Sequence, residues 1–280
     1  MSFVVTKEWL KDRQRNNHAD TVVIDVRFNM ADPEAGRKSY EEGHIPHAVY
    51  LDLNKDLSGP AQKHGGGRPL PDVRTFSEKL GALGINQDKT VIIYDQKNGI
   101  FAARAWWLLH YLGHEKVYVL EGGFKGWTKA GNIVTKKIKA SESTVFEPNV
   151  LRDAIVDMEQ VKANIHEKAA VLIDSRSKDR YLGQEEKMHA KAGHIPGAKN
   201  FFWKNIMNED GTYKNTDELA ENFSSLSKDD EIIVSCGSGI SATPNIMALK
   251  TLGYKNVKLY PGSFSDWISY EENELETKEE

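Results

Sequence analysis

The single cysteine among the 280 residues is Cys236. It opens the loop CGSGISA, 236–242, after the apolar, β-branched run Ile232-Ile233-Val234. A helical pattern follows from about Thr243, with Ile246, Met247, Leu249 and Leu252 at helical spacing. Ser241 or Thr243 is placed to cap that helix, and Pro244 falls where a first-turn proline is tolerated. Two glycines allow a tight turn whose backbone N–H groups face inward. A thiol there stands inside a ring of amide donors and before a helix N-terminus, and both features favour the thiolate. Such a cysteine can attack an electrophile or carry a sulfur anion. The plainer reading is a small buried hydrophobe after a strand. A structural cysteine needs neither the glycines nor the helix start, so the reactive reading is preferred.

The elements that position this loop occur twice. VVIDVR at 22–27 matches VLIDSR at 171–176, and GHIPHA at 43–48 matches GHIPGA at 193–198. VIIYD at 91–95 matches IIVSC at 232–236, and LGHEKVYVLEGGFKGW at 112–127 matches LGYKNVKLYPGSFSDW at 252–267. Four ordered matches at nearly constant offset mean two copies of one domain. In the first copy the pattern predicts strands at 22–26, 48–53, 91–95 and 117–120, with helices at 72–83 and 100–112. Alternating strands and helices imply an α/β fold whose mainly parallel sheets carry helices on both faces. Ligands bind such sheets beyond the carboxyl ends of the strands, where the Cys236 loop lies.

The expected domains are 1–135 and 151–280, joined by a polar linker at 136–150. Residues 54–72, rich in Gly and Pro, read as a long loop. Within it His64-Gly65-Gly66-Gly67-Arg68 lacks the Lys-Ser/Thr of a phosphate-binding loop and is expected to be mobile surface. The acidic tail is expected to be solvated and frayed. Asp95 occupies the place of Cys236 in the first copy, in the loop DQKNGIFA, one residue longer. A carboxylate is no sulfur nucleophile. The first domain is therefore expected to keep the fold, lose the chemistry and form one wall of a cleft.

Composition narrows the function classes. A net charge of −4 argues against nucleic acid or an anionic membrane as partner. No apolar run is long enough to span a membrane, and the N-terminal residues lack a signal-peptide layout. A lone thiol suits a reducing cytoplasm, which is the expected location. The nine histidines show no HExxH and no Cys/His zinc spacing, so no metal or other cofactor is expected. A Cys-x5-Arg phosphate loop is excluded, because Ala242 holds the arginine position. A non-catalytic binding module is disfavoured by the retained cysteine.

The Asp-x-Arg strand end, GHIPGA, the cysteine loop and LEGGFKGW together resemble the tandem-domain rhodanese family of sulfurtransferases, over nearly the whole chain. The resemblance implies a sulfane sulfur carried on Cys236 as a persulfide, taken from a donor and passed to cyanide or to a thiol such as thioredoxin. Gly237, Ser238, Gly239, Ile240 and Ser241 would cradle that sulfur with loop amides. Cys-Gly-Ser-Gly, without basic residues after the cysteine, is similar to the branch that uses 3-mercaptopyruvate. The alternative donor is thiosulfate. Arg180, in DSRSKDRYLG, matches the arginine that holds the donor anion, and a guanidinium grips a carboxylate in a bidentate way. The second arginine of that branch, expected before GHIPGA, is absent from QEEKMHAKA. Lys187 is taken as its substitute, with His189 and Lys191 as further choices. The family's serine–histidine–aspartate arrangement would fall on Ser238, His44 and Asp32. His44 has a twin in His194, which favours a structural role.

Overall fold

The computed structural model describes residues 2–138 and 141–278. The first domain is a five-stranded parallel sheet. Its strands are β1 (Val4–Val5), β2 (Thr21–Asp25), β3 (Ala48–Tyr50), β4 (Thr90–Tyr94) and β5 (Val117–Leu120), ordered β1-β5-β4-β2-β3. The second domain repeats this with β6 (Ala170–Asp174), β7 (Lys199–Asn200), β8 (Glu231–Ser235) and β9 (Val257–Leu259), ordered β7-β6-β8-β9. The place of β1 is taken there by a single parallel bridge, Ile155 to Leu259.

Side chains alternate across each sheet, so each strand feeds two cores. In the first domain Ile24, Ile93 and Val119 face helices Val73–Ala82 and Ile100–Tyr111, while Val23, Ile92 and Leu120 pack with Leu10, Tyr40 and Trp127 on the other side. In the second, Ile232, Val234 and Leu259 face helices Thr216–Asn222 and Thr243–Thr251, while Leu172 and Ile233 pack with Met158, Val161 and Trp267. One apolar cluster runs through both domains, because helices Ile100–Tyr111 and Thr243–Thr251 pack against each other. Both helices are buried along most of their length. No helix among the described residues is long and apolar enough to cross a membrane.

Three segments depart from the sequence reading. The glycine-rich loop at 64–67 is docked on the second domain rather than left as mobile surface. Gly65 N–H donates to Asp266 Oδ1 at 2.6 Å, Gly67 N–H donates to Ser265 Oγ at 3.0 Å, and the His64 ring stacks on Tyr270. The region expected as a linker lies along the first domain where it is described: Thr144 N–H donates to Gly81 O, Asn149 N–H donates to Leu112 O, and Phe146 is buried. Its residues 139 and 140 lie outside the described residues. The acidic tail is tied down through Glu276, which pairs with the His194 backbone in both directions. In each case the partner is distant in sequence, which local composition does not report.

Candidate active site

The Cys236 loop joins the carboxyl end of β8 to helix Thr243–Thr251. Gly239, at φ +75, gives the turn its left-handed step and lies against Pro261, where a Cβ would come within 2.3 Å of the Pro261 carbonyl oxygen. Ala242, not Ser241 or Thr243, is the residue before the helix, and no side chain caps it. The Thr243 hydroxyl donates back to Ile240 O.

Cys236 is buried, with 1% of its surface exposed. Gly239 N–H donates to Sγ at 3.1 Å. Among the described residues, the amides of Ile240, Ser241 and Ala242 donate to no protein acceptor. A second strand–helix turn holds the loop from behind. Phe264 and Ser265 N–H groups donate to the carbonyls of Cys236 and Gly237, and Ser263 Oγ accepts from Cys236 N–H at 3.1 Å. Ser263 adopts φ +53, a left-handed conformation rare for a residue with a Cβ. The same hydroxyl donates to Tyr260 O at 2.8 Å.

One side of the loop is lined by the residues after β6. A Cβ on Gly237 would sit 3.2 Å from His189 Cε1 and 3.6 Å from Arg180 Nη2. Arg180 thus lies beside the loop, where the family resemblance leads one to expect it. Its Nε and Nη2 are held by Glu186 at 3.0 and 3.1 Å, and Nη2 also donates to His189 Nδ1 at 2.9 Å. Burial pushes Glu186 up, but the Met188 amide and the Arg180 guanidinium outweigh it and hold the carboxyl below its usual range. Burial lowers His189 despite the neighbouring Glu186. A neutral ring whose Nδ1 accepts from Arg180 carries its proton on Nε2. Arg176 is structural, bound to Asp174 and stacked over Phe264, as its twin Arg27 is bound to Asp25 and stacked over Phe124.

The remaining expected residues divide. Ser238 is half-buried on the loop, facing Gly67 of the first domain. Lys187 is exposed and pairs with Glu185, so His189 occupies the place expected for it. His44 is fully buried in the first domain, stacked on Tyr40, with Nδ1 bound to Tyr40 O at 2.7 Å. His194 repeats that arrangement with Tyr181. Asp32 is exposed and caps its own turn through Glu34 N–H. Among the described residues, no hydrogen bond joins His44 or Asp32 to the Cys236 loop. The repeated GHIP histidine fastens its own domain, which is why both copies keep it.

One residue near the loop escaped the sequence reading. Arg104, from helix Ile100–Tyr111 of the first domain, donates from Nη1 to Gly239 O at 3.1 Å. A lone charge inside the apolar run IFAARAWWLLHYL was the available signal.

A buried thiol held by the Gly239 amide, flanked by an arginine, on a duplicated parallel-sheet domain points to one family. Rhodanese-like domains match residues 6–130 and 157–270. The chain belongs to the rhodanese family. A probable 3-mercaptopyruvate sulfurtransferase of Pseudomonas aeruginosa is 38% identical to this rhodanese over 260 residues, covering 91% of this chain and 92% of its own. A thiosulfate sulfurtransferase of Cricetulus griseus is 32% identical, covering 95% and 91%. The crystal structure of SseA from Escherichia coli, a study of 3-mercaptopyruvate sulfotransferases, superposes with a TM-score of 0.81 at 35% identity, covering 95% of this chain and 100% of that one.

Proposed function

We propose that this rhodanese is a sulfurtransferase that takes its sulfur from 3-mercaptopyruvate, carries it on Cys236 and passes it to cyanide or a thiol. The observation that carries this reading is the Cys236 sulfur inside a loop of amides, with neutral Gly237 and Ser238 beside it. The Cys236 thiolate attacks the donor sulfur. A sulfur–sulfur bond forms, the carbon–sulfur bond of the donor breaks, and its electron pair leaves as pyruvate enolate, which takes a proton. Attack of an acceptor on the outer sulfur then returns the thiolate. The amides of Ile240, Ser241 and Ala242, without protein acceptors, suit the outer sulfur anion. Arg180 meets the donor carboxylate with Nη1, which Glu186 leaves unused. His189, with an N–H on Nε2, stands on the same side of Gly237 and can donate a hydrogen bond to the departing enolate, which takes its proton from water. A lone thiol in this role belongs in a reducing compartment such as the cytoplasm.

Thiosulfate is the second reading, because relatives of comparable coverage carry that name. It brings two negative charges towards a thiolate, and the loop offers no cation at 237 or 238 to offset them. The test compares kcat/KM for the two donors. 3-Mercaptopyruvate is expected to exceed thiosulfate, and Ser238→Lys to move the ratio towards thiosulfate by about tenfold, since roughly 1.4 kcal/mol of differential binding suffices. Ser238 is the site for that change, because a side chain at Gly237 would press on His189, 3.2 Å from its Cβ. Faster turnover of thiosulfate at equal subsaturating concentrations overturns the donor assignment and leaves sulfur transfer standing.

A further inference from the structure

Arg104 is fully buried, yet among the described residues no carboxylate pairs with it. Its guanidinium meets only carbonyls: Leu57 O at 3.4 and 3.2 Å, Arg68 O and Pro69 O each at 3.4 Å, and Gly239 O at 3.1 Å. A buried cation without a counter-ion is costly. Gly239 links the guanidinium to the Cys236 sulfur: its O accepts from Arg104 Nη1 at 3.1 Å and its N–H donates to Sγ at 3.1 Å. Burial lowers Arg104 to about 10, the Cys236 charge opposes that shift, and Arg68 adds to it. The guanidinium therefore stays charged at neutral pH. Arg68 brings a second positive charge to the same side, and its buried Nε has no partner. On the opposite side, by Gly237, the Glu186 charge is already taken up by Arg180 and Arg176.

The duplicate makes the point sharper. In the repeat alignment Arg104 corresponds to Pro244. The cation is present only in the helix that faces the cysteine loop. Helix packing alone has no use for that asymmetry.

We propose that Arg104 of the first domain is the counter-charge of the Cys236 sulfur anion and fixes the loop through Gly239 O. The first domain is then an electrostatic part of the active site rather than a wall. Arg104 is a positioning residue, acting through the loop and through space. This inference rests on the reading of Cys236 as the carrier of a sulfur anion.

The experiment measures alkylation of Cys236 by iodoacetamide in the full chain, with Arg104→Met and Arg104→Lys, each checked for its melting temperature. Arg104→Met is expected to slow alkylation about tenfold at neutral pH, and Arg104→Lys to restore most of the rate. Near about pH 10, where the thiol is ionised without help, the variants should converge. A folded Arg104→Met that alkylates at the wild-type rate at neutral pH overturns the proposal. So does equal slowing at both pH values, which marks mere loop distortion. If Arg104→Met does not fold, Cys236→Asp and Cys236→Asn are compared with Arg104 intact. The aspartate variant should melt higher, and an equal or lower melting temperature overturns the proposal. Intact mass after donor treatment of the wild type tests persulfide formation separately, so the failure of one reading is distinguishable from the failure of the other.

Discussion

Asp95 and Cys236 begin two copies of one loop, and the amides around them behave differently. In the first domain the loop closes on its own anion: Asp95 Oδ1 accepts from Lys97 and Gly99 N–H, and Oδ2 accepts from Phe101 and Ala102 N–H. In the second, only Gly239 N–H is spent on Sγ, and the counterparts of the Phe101 and Ala102 amides, on Ser241 and Ala242, have no protein acceptor. The covers differ as well. The first loop is closed by the second domain's Tyr213, whose hydroxyl would lie 2.8 Å from a Cβ on Gly99, and by Lys97 Nζ donating to Glu209 O. The cysteine loop is closed by Gly67, which has no side chain to place over Ser238. The duplicated loop is an anion nest by construction. One copy holds a built-in carboxylate under a phenol, and the other keeps its donors for a transferable anion.

The largest expected effect comes from exchanging the two residues. Cys236→Ser should abolish transfer, and adding Asp95→Cys should not restore it, because Tyr213 still covers that loop. Activity assays with intact-mass detection of the added sulfur check both, and turnover by the double variant breaks the comparison. Next in size, Asp95→Ala removes the acceptor of four amides and should cost about 3 kcal/mol in urea unfolding. Cys236→Ala should cost clearly less. Equal costs would mean that the first loop is not built around its anion.

Arg180 has no counterpart in the first domain, where Ala31 holds its place. Arg180→Ala should raise KM roughly tenfold to a hundredfold with a smaller change in kcat, the loss of a charge-assisted pair of about 1.5–3 kcal/mol. Arg180→Lys should recover part of it. An unchanged KM removes Arg180 from donor binding.

The smallest effect is a pH dependence that differs between the two helices packed at the domain interface. Burial lowers His110 and His114 of the first domain from 6.5 to about 4. Their counterparts are Lys250 and Tyr254. The unfolded chain binds these protons near pH 6.5 and the folded chain only near 4. Their contribution is fully present above pH 6.5 and falls by roughly 1 kcal/mol per pH unit for each histidine below it. Hydrogen exchange at about pH 5 should therefore weaken helix Ile100–Tyr111 before helix Thr243–Thr251. Loss in the reverse order refutes the assignment.

The repeat made the fold legible, since matched strand ends such as VVIDVR and VLIDSR fix both sheets at once. The predicted helices at 72–83 and 100–112 match Val73–Ala82 and Ile100–Tyr111, because their apolar faces meet a core on the expected side. Cys236, Arg180 and the loop glycines were legible from type and spacing. The duplication of His44 as His194 already favoured a structural role for it, whereas the place of Asp32 was not legible, because it lies in a loop with no counterpart motif. The segment offered Lys187, His189 and Lys191 without a signal to separate them, and the chain direction after Glu186 turns the histidine inward. The docked loop at 64–67 was hidden because its partners, 265 to 270, are some two hundred residues away.

Ser263 occupies the position of Gly123, and both adopt the left-handed backbone, at φ +53 and +56. The glycine takes this conformation without cost, whereas the serine bears roughly 1 kcal/mol of strain. In return its hydroxyl holds the Cys236 N–H. Glycine at 263 would relieve that strain but leave the buried Cys236 N–H without its acceptor, a loss of about 1–3 kcal/mol. The strained serine is therefore the more stable choice, and the rigidity of the cysteine loop comes with it.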